Sequence, residues 1–174
     1  MTAKKAILVI GAGDATGGAI AKRFAKEGYI ACVTRRTLDK LQPLIEQIKA
    51  EGGEAHGFAS DARKEEDMIA LVRQIETDIA PIEVAVFNIG ANVRFGITET
   101  TTRVYTKVWE MACLGGFLMG RESAKVMLPR GRGTIIFTGA TASLRGSAGF
   151  SALQKRAFAL AVYAPVGAFA LAPA

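Results

Sequence analysis

The chain has 174 residues, half of them hydrophobic, and carries 22 Lys and Arg against 16 Asp and Glu, a net charge of +6. That length suits a single folded domain with a real core. Only five clearly apolar residues precede Gly11, too few for a signal core or a membrane span, so the sequence predicts a cytoplasmic chain with no membrane partner.

The aliphatic run at residues 6–10 reads as a buried strand that passes straight into Gly11-Ala12-Gly13-Asp14-Ala15-Thr16-Gly17-Gly18. A helix follows, with Ile20, Ala21, Phe24 and Ala25 on its apolar stripe and Gly28 at its end. Residues 29–34 form the second predicted strand. The next helix starts near Thr37, carries Leu38, Leu41, Ile45 and Ile48 at helical spacing, has Pro43 in its first turns and ends at Gly52-Gly53. Residues 54–59 read as a third strand, and Met68, Leu71, Val72, Ile75 and Ile79 stripe a helix that breaks before Pro81. A fourth strand at 82–87, a long helix over 101–127, a turn at 129–133 and a fifth strand at 134–137 complete the regular pattern. Strands alternating with crossover helices predict a doubly wound α/β domain with a parallel sheet of about five strands.

The glycine turn has the chemistry of a diphosphate cradle. Gly11, Gly13, Gly17 and Gly18 let the backbone turn tightly and approach an anion, while the first N–H groups of the helix and its positive dipole end face the charge. Asp14, Ala15 and Thr16 complete that loop. In a parallel sheet of this kind ligands gather at the carboxyl ends of the strands. Arg35 and Arg36 lie just past the second strand, where two guanidiniums suit a 2′-phosphate through charge-assisted hydrogen bonds, and no acidic residue competes before Asp39. Asp61 and Ala62 follow the third strand, placed to meet an adenine edge, and the Asn88 amide ends the fourth.

The remaining chemistry is sparse. Cys32 and Cys113 show neither paired nor metal-ligand spacing and read as reduced, buried small hydrophobes, so no metal is expected. The basic residues Lys22, Arg23, Lys49, Arg73, Lys107, Arg121, Lys125, Arg130 and Arg132 are scattered over polar faces without interleaved aromatics, a pattern of solvated surface rather than of a specific nucleic-acid partner.

Taken in order, these motifs resemble the short-chain dehydrogenase/reductase family from about Lys5 to Phe150. Gly11 to Gly17 is similar to the family's Gly-x-x-x-Gly-x-Gly pattern with Ala15 in place of the middle glycine. Asp61-Ala62 resembles the acid-plus-small pair after the third strand, and Asn88-Ile89-Gly90-Ala91 the Asn-Asn-Ala-Gly segment with only its leading Asn retained. Trp109 and Leu114 to Phe117 resemble the long interface helix, and Gly133 to Gly139 with Leu144 to Phe150 the fifth strand and the loop toward the active site. The resemblance implies a Rossmann-type domain and a nicotinamide cofactor held by Gly11, Gly13, Asp14, Ala15, Thr16, Gly17, Arg35, Arg36, Asp61, Ala62, Asn88 and Gly90. The arginine pair favours NADP(H) over NAD(H).

The resemblance fails where the family's hydride-transfer chemistry lies. The positions of its Tyr, Lys, Ser and Asn fall on Leu153, Ala157, Ala140 and Cys113, so none of the four functional groups is present. A rival register through Thr138, Ser151 and Lys155 keeps the spacing but offers a serine in place of a phenol of pKa ~10. It also turns Lys155 by about 200° on a helix of 3.6 residues per turn. Residues 158–174 carry no charge and are interrupted by Pro165, Gly167 and Pro173; they read as an irregular apolar tail after a dinucleotide-binding domain at 1–157, incomplete by the family's plan, with the look of an altered reading frame. The resulting expectation is a truncated, NADP(H)-binding oxidoreductase relative with a degenerate active site. Its alternatives are a residual NADPH-dependent carbonyl reductase and a non-catalytic partner protein that forms a homo-oligomer through the 101–127 helix.

Overall fold

The structure is a computed structural model and describes residues 4–90, 93–139 and 168–170. Ala91, Ala140, the 144–150 loop, Ser151, Leu153, Lys155, Ala157 and most of the apolar tail lie outside the described residues.

Five strands run parallel: β1 (Ala6–Ile10), β2 (Ile30–Arg35), β3 (Ala55–Ala59), β4 (Ile82–Phe87) and β5 (Thr134–Phe137). Their order is β3-β2-β1-β4-β5. The central strand β1 is buried at every residue, and its alternation sorts side chains to two cores. Leu8 and Ile10 face one core together with Cys32, Ala85, Phe87, Met68, Leu71, Ile75, Leu118 and Met119. Ile7 and Val9 face the other, with Val33, Val84, Val86, Ala21, Ala25, Ile45 and Ile48. The apolar stripes of helices α1 (Thr16–Lys26) and α2 (Gln42–Ala50) supply one of these layers. Those of α3 (Glu65–Asp78) and α5 (Gly115–Met127) supply the other.

Three features depart from the sequence pattern. The helix expected from Thr37 begins as a 3-10 turn (Leu38–Leu41), and the regular helix starts only at Gln42, with Pro43 in the first-turn position where its missing N–H costs nothing. The long helix is two helices, α4 (Thr102–Trp109) and α5, joined by a five-residue π-helical turn (Glu110–Leu114). A sixth short strand, β6 (Ala168–Ala170), falls within the stretch read as irregular and pairs antiparallel with β5. The outer edge of β5 offers backbone donors and acceptors to any extended segment, and that hydrogen bonding needs no side-chain signal.

Candidate cofactor site

The site begins where β1 ends. Gly11 has φ +85°, and a Cβ there would lie 3.0 Å from both the Asn88 carbonyl oxygen and Ile89 Cγ1, so only glycine carries the chain through this point. Asn88 stitches the turn from the neighbouring strand. Its backbone N–H donates to the Ile10 carbonyl (2.8 Å), and its Nδ2 donates to the Gly11 carbonyl (3.1 Å). The Ala12 N–H donates to Thr34 O on the other side (3.1 Å). Beneath the turn, a Cβ on Gly17 would run into the Gly11 carbonyl oxygen and sit 2.9 Å from Ala12 Cα, so the first turn of α1 packs directly on the loop. No side chain caps the start of α1 and no acidic residue stands in its first turn, which leaves the dipole end suited to an anion.

A cavity of about 270 Å³ opens at the carboxyl ends of the strands. Gly11, Gly13, Arg35, Arg36, Asp61, Ala62, Asn88 and Gly90, all singled out from sequence, line it together. Gly17 lies buried below the turn, while Asp14, Ala15 and Thr16 are exposed at its rim and do not line the cavity. The two arginines differ in setting. Arg36 is exposed, whereas the Arg35 guanidinium is held at both ends: Nη1 donates to the Lys40 carbonyl (3.0 Å) and Nη2 to Asp14 Oδ1 (3.2 Å).

Asp61 is clamped by a neighbour that the sequence reading passed over. Arg63 Nε donates to Asp61 Oδ1 (2.9 Å), Arg63 Nη2 to Oδ2 (2.5 Å), and the Arg63 backbone N–H also reaches Oδ1 (3.2 Å). The Arg63 hydrogen bonds, with the charges of Arg63 and Arg36, hold the Asp61 carboxyl below the usual aspartate range. Ser60, Arg63, Thr34, Ile89 and Met111 complete the lining. Arg63, two residues from a strand-end Asp, was the one of these with a legible signal. Ser60 Oγ is buried and has no hydrogen-bond partner among the described residues, a polar group left over at the cavity wall. Met111 reaches the cavity from the π turn, which also buries Ala112 and Cys113. Ala140, Leu153 and Ala157 lie outside the described residues, so of the four positions that the resemblance assigns to the reaction only Cys113 is described, buried at 8% exposure. Among the described residues no group of three or more His, Cys, Asp or Glu side chains is arranged to hold a metal, and no helix is long and apolar enough to cross a membrane.

The strand order, the glycine turn and the cavity define a doubly wound α/β domain of the Rossmann type, and comparison with known proteins places it. Residues 5–155 match the family model for short chain dehydrogenases, and the chain belongs to that family of NAD(P)(H)-dependent oxidoreductases. It is similar to a short-chain dehydrogenase from Rhodopseudomonas palustris, with 50% identity and a TM-score of 0.85 over 91% of this chain and 74% of that one. It is also similar to the F189W actinorhodin polyketide ketoreductase solved with NADPH, at 26% identity and a TM-score of 0.87 over 92% of this chain and 62% of the other. The sorbitol-6-phosphate 2-dehydrogenase of Escherichia coli is 29% identical over 84% of this chain and 59% of its own length. A short chain dehydrogenase of Pseudocercospora fijiensis is 31% identical over 76% of this chain and 43% of its own. The chain thus spans about half the length of these two curated relatives.

Proposed function

We propose that this chain binds NADP(H) in preference to NAD(H) and that its active site is degenerate, so that it holds the cofactor without the family's hydride transfer. The observation that carries the cofactor reading is the position of Arg35 and Arg36 in the wall of the same cavity as Gly11, Gly13 and Asn88. A diphosphate on the glycine turn leaves the adenosine ribose near the end of β2, where guanidiniums reward a phosphate over a hydroxyl. The similarity to a ketoreductase solved with NADPH supports the same choice. Asp61 and Ala62 are then the adenine contacts. Bound there, the cofactor supplies a hydride donor or acceptor; the chain's own residues bind and orient it.

Calorimetric titration with NADPH and NADH tests this. Two charge-assisted contacts at ~1.5–3 kcal/mol each favour the phosphorylated form by roughly one to three orders of magnitude. The double variant Arg35→Ala, Arg36→Ala removes the preference; equal affinities in the unaltered chain refute it. Degeneracy rests on the residue types at Cys113, Ala140, Leu153 and Ala157, which offer neither a phenol nor an ammonium for acid catalysis. NADPH oxidation against a panel of ketones, aldehydes and quinones stays far below ~1 s⁻¹, the low end of ordinary enzymes. Turnover at or above that rate makes the chain a residual NADPH-dependent carbonyl reductase instead.

A second reading concerns self-association through the 101–127 helices. Trp109 and Phe117 stand there at 43% and 40% exposure, large aromatics on a surface helix pair. Light scattering on the full chain reports a dimer that Trp109→Lys weakens if this face is used, and an unchanged monomer if it is not.

A further inference from the structure

We propose that Asp14 sets the cofactor specificity of this site as an ionic latch: its carboxylate occupies the Arg35 guanidinium and weakens the hold of that arginine on a 2′-phosphate. The proposal rests on the reading of the cavity as an NADP(H) site.

The latch is built from two residues 21 positions apart that the β1-to-β2 pairing brings together. Arg35 Nη2 lies 3.2 Å from Asp14 Oδ1 and 3.3 Å from where a Cβ on Gly13 would stand, so the guanidinium lies against the glycine turn. Its other end is fixed by the Lys40 carbonyl, which leaves Nη2 as the end that turns toward a new partner. The Arg35 side chain is 22% exposed and lines the cavity; the Asp14 side chain is 94% exposed and stands at the rim. Asp14 is therefore hydrated and held by little besides the ion pair, and it is the partner that leaves. A phosphate arriving at the end of β2 must displace a carboxylate that already satisfies Nη2 and that repels the incoming dianion. A ribose hydroxyl meets no such competition. The acid on the glycine turn thus opposes the arginine on β2, and the balance between them sets how strongly the site prefers the phosphorylated cofactor. Because the carboxylate is exposed, salt screens its effect, and the preference rises with moderate ionic strength relative to that of a variant without the charge.

Titration of the full chain with 2′,5′-ADP and with 5′-AMP as probes, in the unaltered protein and in Asp14→Asn, Arg35→Ala and the double variant, decides the matter. Asparagine keeps the shape and removes the charge, at a position too exposed to disturb folding. The expected result is an affinity gain of about two- to fivefold for 2′,5′-ADP in Asp14→Asn, the span of one exposed ion pair, with less than about half of that gain for 5′-AMP. The gain disappears when Arg35→Ala is already present. Equal gains for both probes, or a gain that survives Arg35→Ala, show a bulk charge effect and overturn the latch alone, as does a 2′-phosphate preference that Asp14→Asn leaves untouched. A chain that binds both probes equally, with or without Arg35, overturns the NADP(H) reading and the latch with it.

Discussion

Asn88 and Gly11 are joined across 77 positions of sequence by one hydrogen bond, from the Asn88 amide to the Gly11 carbonyl at 3.1 Å. With the backbone bond from Asn88 N–H to Ile10 O, it fixes the end of β4 to the turn that leaves β1. The amide thereby sets the height of the glycine turn over the cavity.

Asn88→Ala leaves that carbonyl without its side-chain donor at a partly buried position. The expected loss is about 1 kcal/mol of stability, the net worth of one hydrogen bond, read as a lower urea midpoint at unchanged slope. On the proposed function, NADPH affinity falls further than stability does, because the glycine turn proposed to hold the diphosphate loses its support. A variant of unchanged affinity would separate the amide from the site.

Gly17→Ala tests the packing of α1 on the turn. An alanine favours a helix interior by ~1 kcal/mol over glycine. Here its methyl meets the backbone at Gly11 and Ala12, which cannot rotate aside. Overpacking of this kind costs ~1–3 kcal/mol, so the expected outcome is a net loss of thermal stability together with impaired cofactor binding. A more stable Gly17→Ala protein would mean that helix propensity outweighs the contact.

Glu76 and Arg130 hold the opposite end of the sheet. Arg130 Nη1 donates to Glu76 Oε2 (2.6 Å) and Nη2 to the Ile82 carbonyl (2.8 Å), while Glu76 Oε1 accepts the Ile82 N–H (2.8 Å). Both side chains are largely covered, at 23% and 18% exposure. Glu76→Ala strands the guanidinium and the start of β4, with an expected cost of about 2–4 kcal/mol by chemical denaturation. Lys125→Ala, whose ammonium is mostly exposed beside Glu122, serves as the comparison and costs less than about 1 kcal/mol.

Acid sensitivity follows from Asp61. Arg63 lowers the folded-state pKa of its carboxyl, so the stabilisation it contributes is fully present above the unfolded value of ~3.9 and is lost as pH falls through the lower folded value. Urea midpoints measured from pH 6 down to pH 2.5 decline on this limb, and the decline is shallower in Arg63→Ala, in which Asp61 titrates nearer its ordinary range. Identical slopes below pH 4 in the two proteins would show that the clamp contributes nothing to acid stability.

The thiol of Cys32 provides a check on the core. Burial, with a smaller contribution from Glu54, pushes its pKa up to about 12. Thiol reagents at pH 8 leave Cys32 unmodified in the native protein and label it after denaturation; native labelling at the rate of a free thiol would place β2 outside the core.

Local pattern was enough for most of the frame. The bounds of β4 and β5 follow from short, largely apolar runs between turn residues, broken in β4 only by Glu83, and the stripe of Met68, Leu71, Val72 and Ile75 marks the buried face of α3, because periodicity is a property of neighbouring residues. The glycine turn and the basic pair were legible for the same reason: each is a short motif whose backbone or charge requirement is met within a few positions. Tertiary structure decided what those residues meet. Strand order brings Asn88 under Gly11 and pairs Arg35 with Asp14, a contact between residues 21 positions apart. It draws Ser60, Arg63 and Met111 into the cavity wall, breaks the long helix with a π turn and lays Ala168–Ala170 along β5. Such contacts depend on which strands lie side by side and which backbone edges remain open, and the spacing of residues along the chain does not encode that.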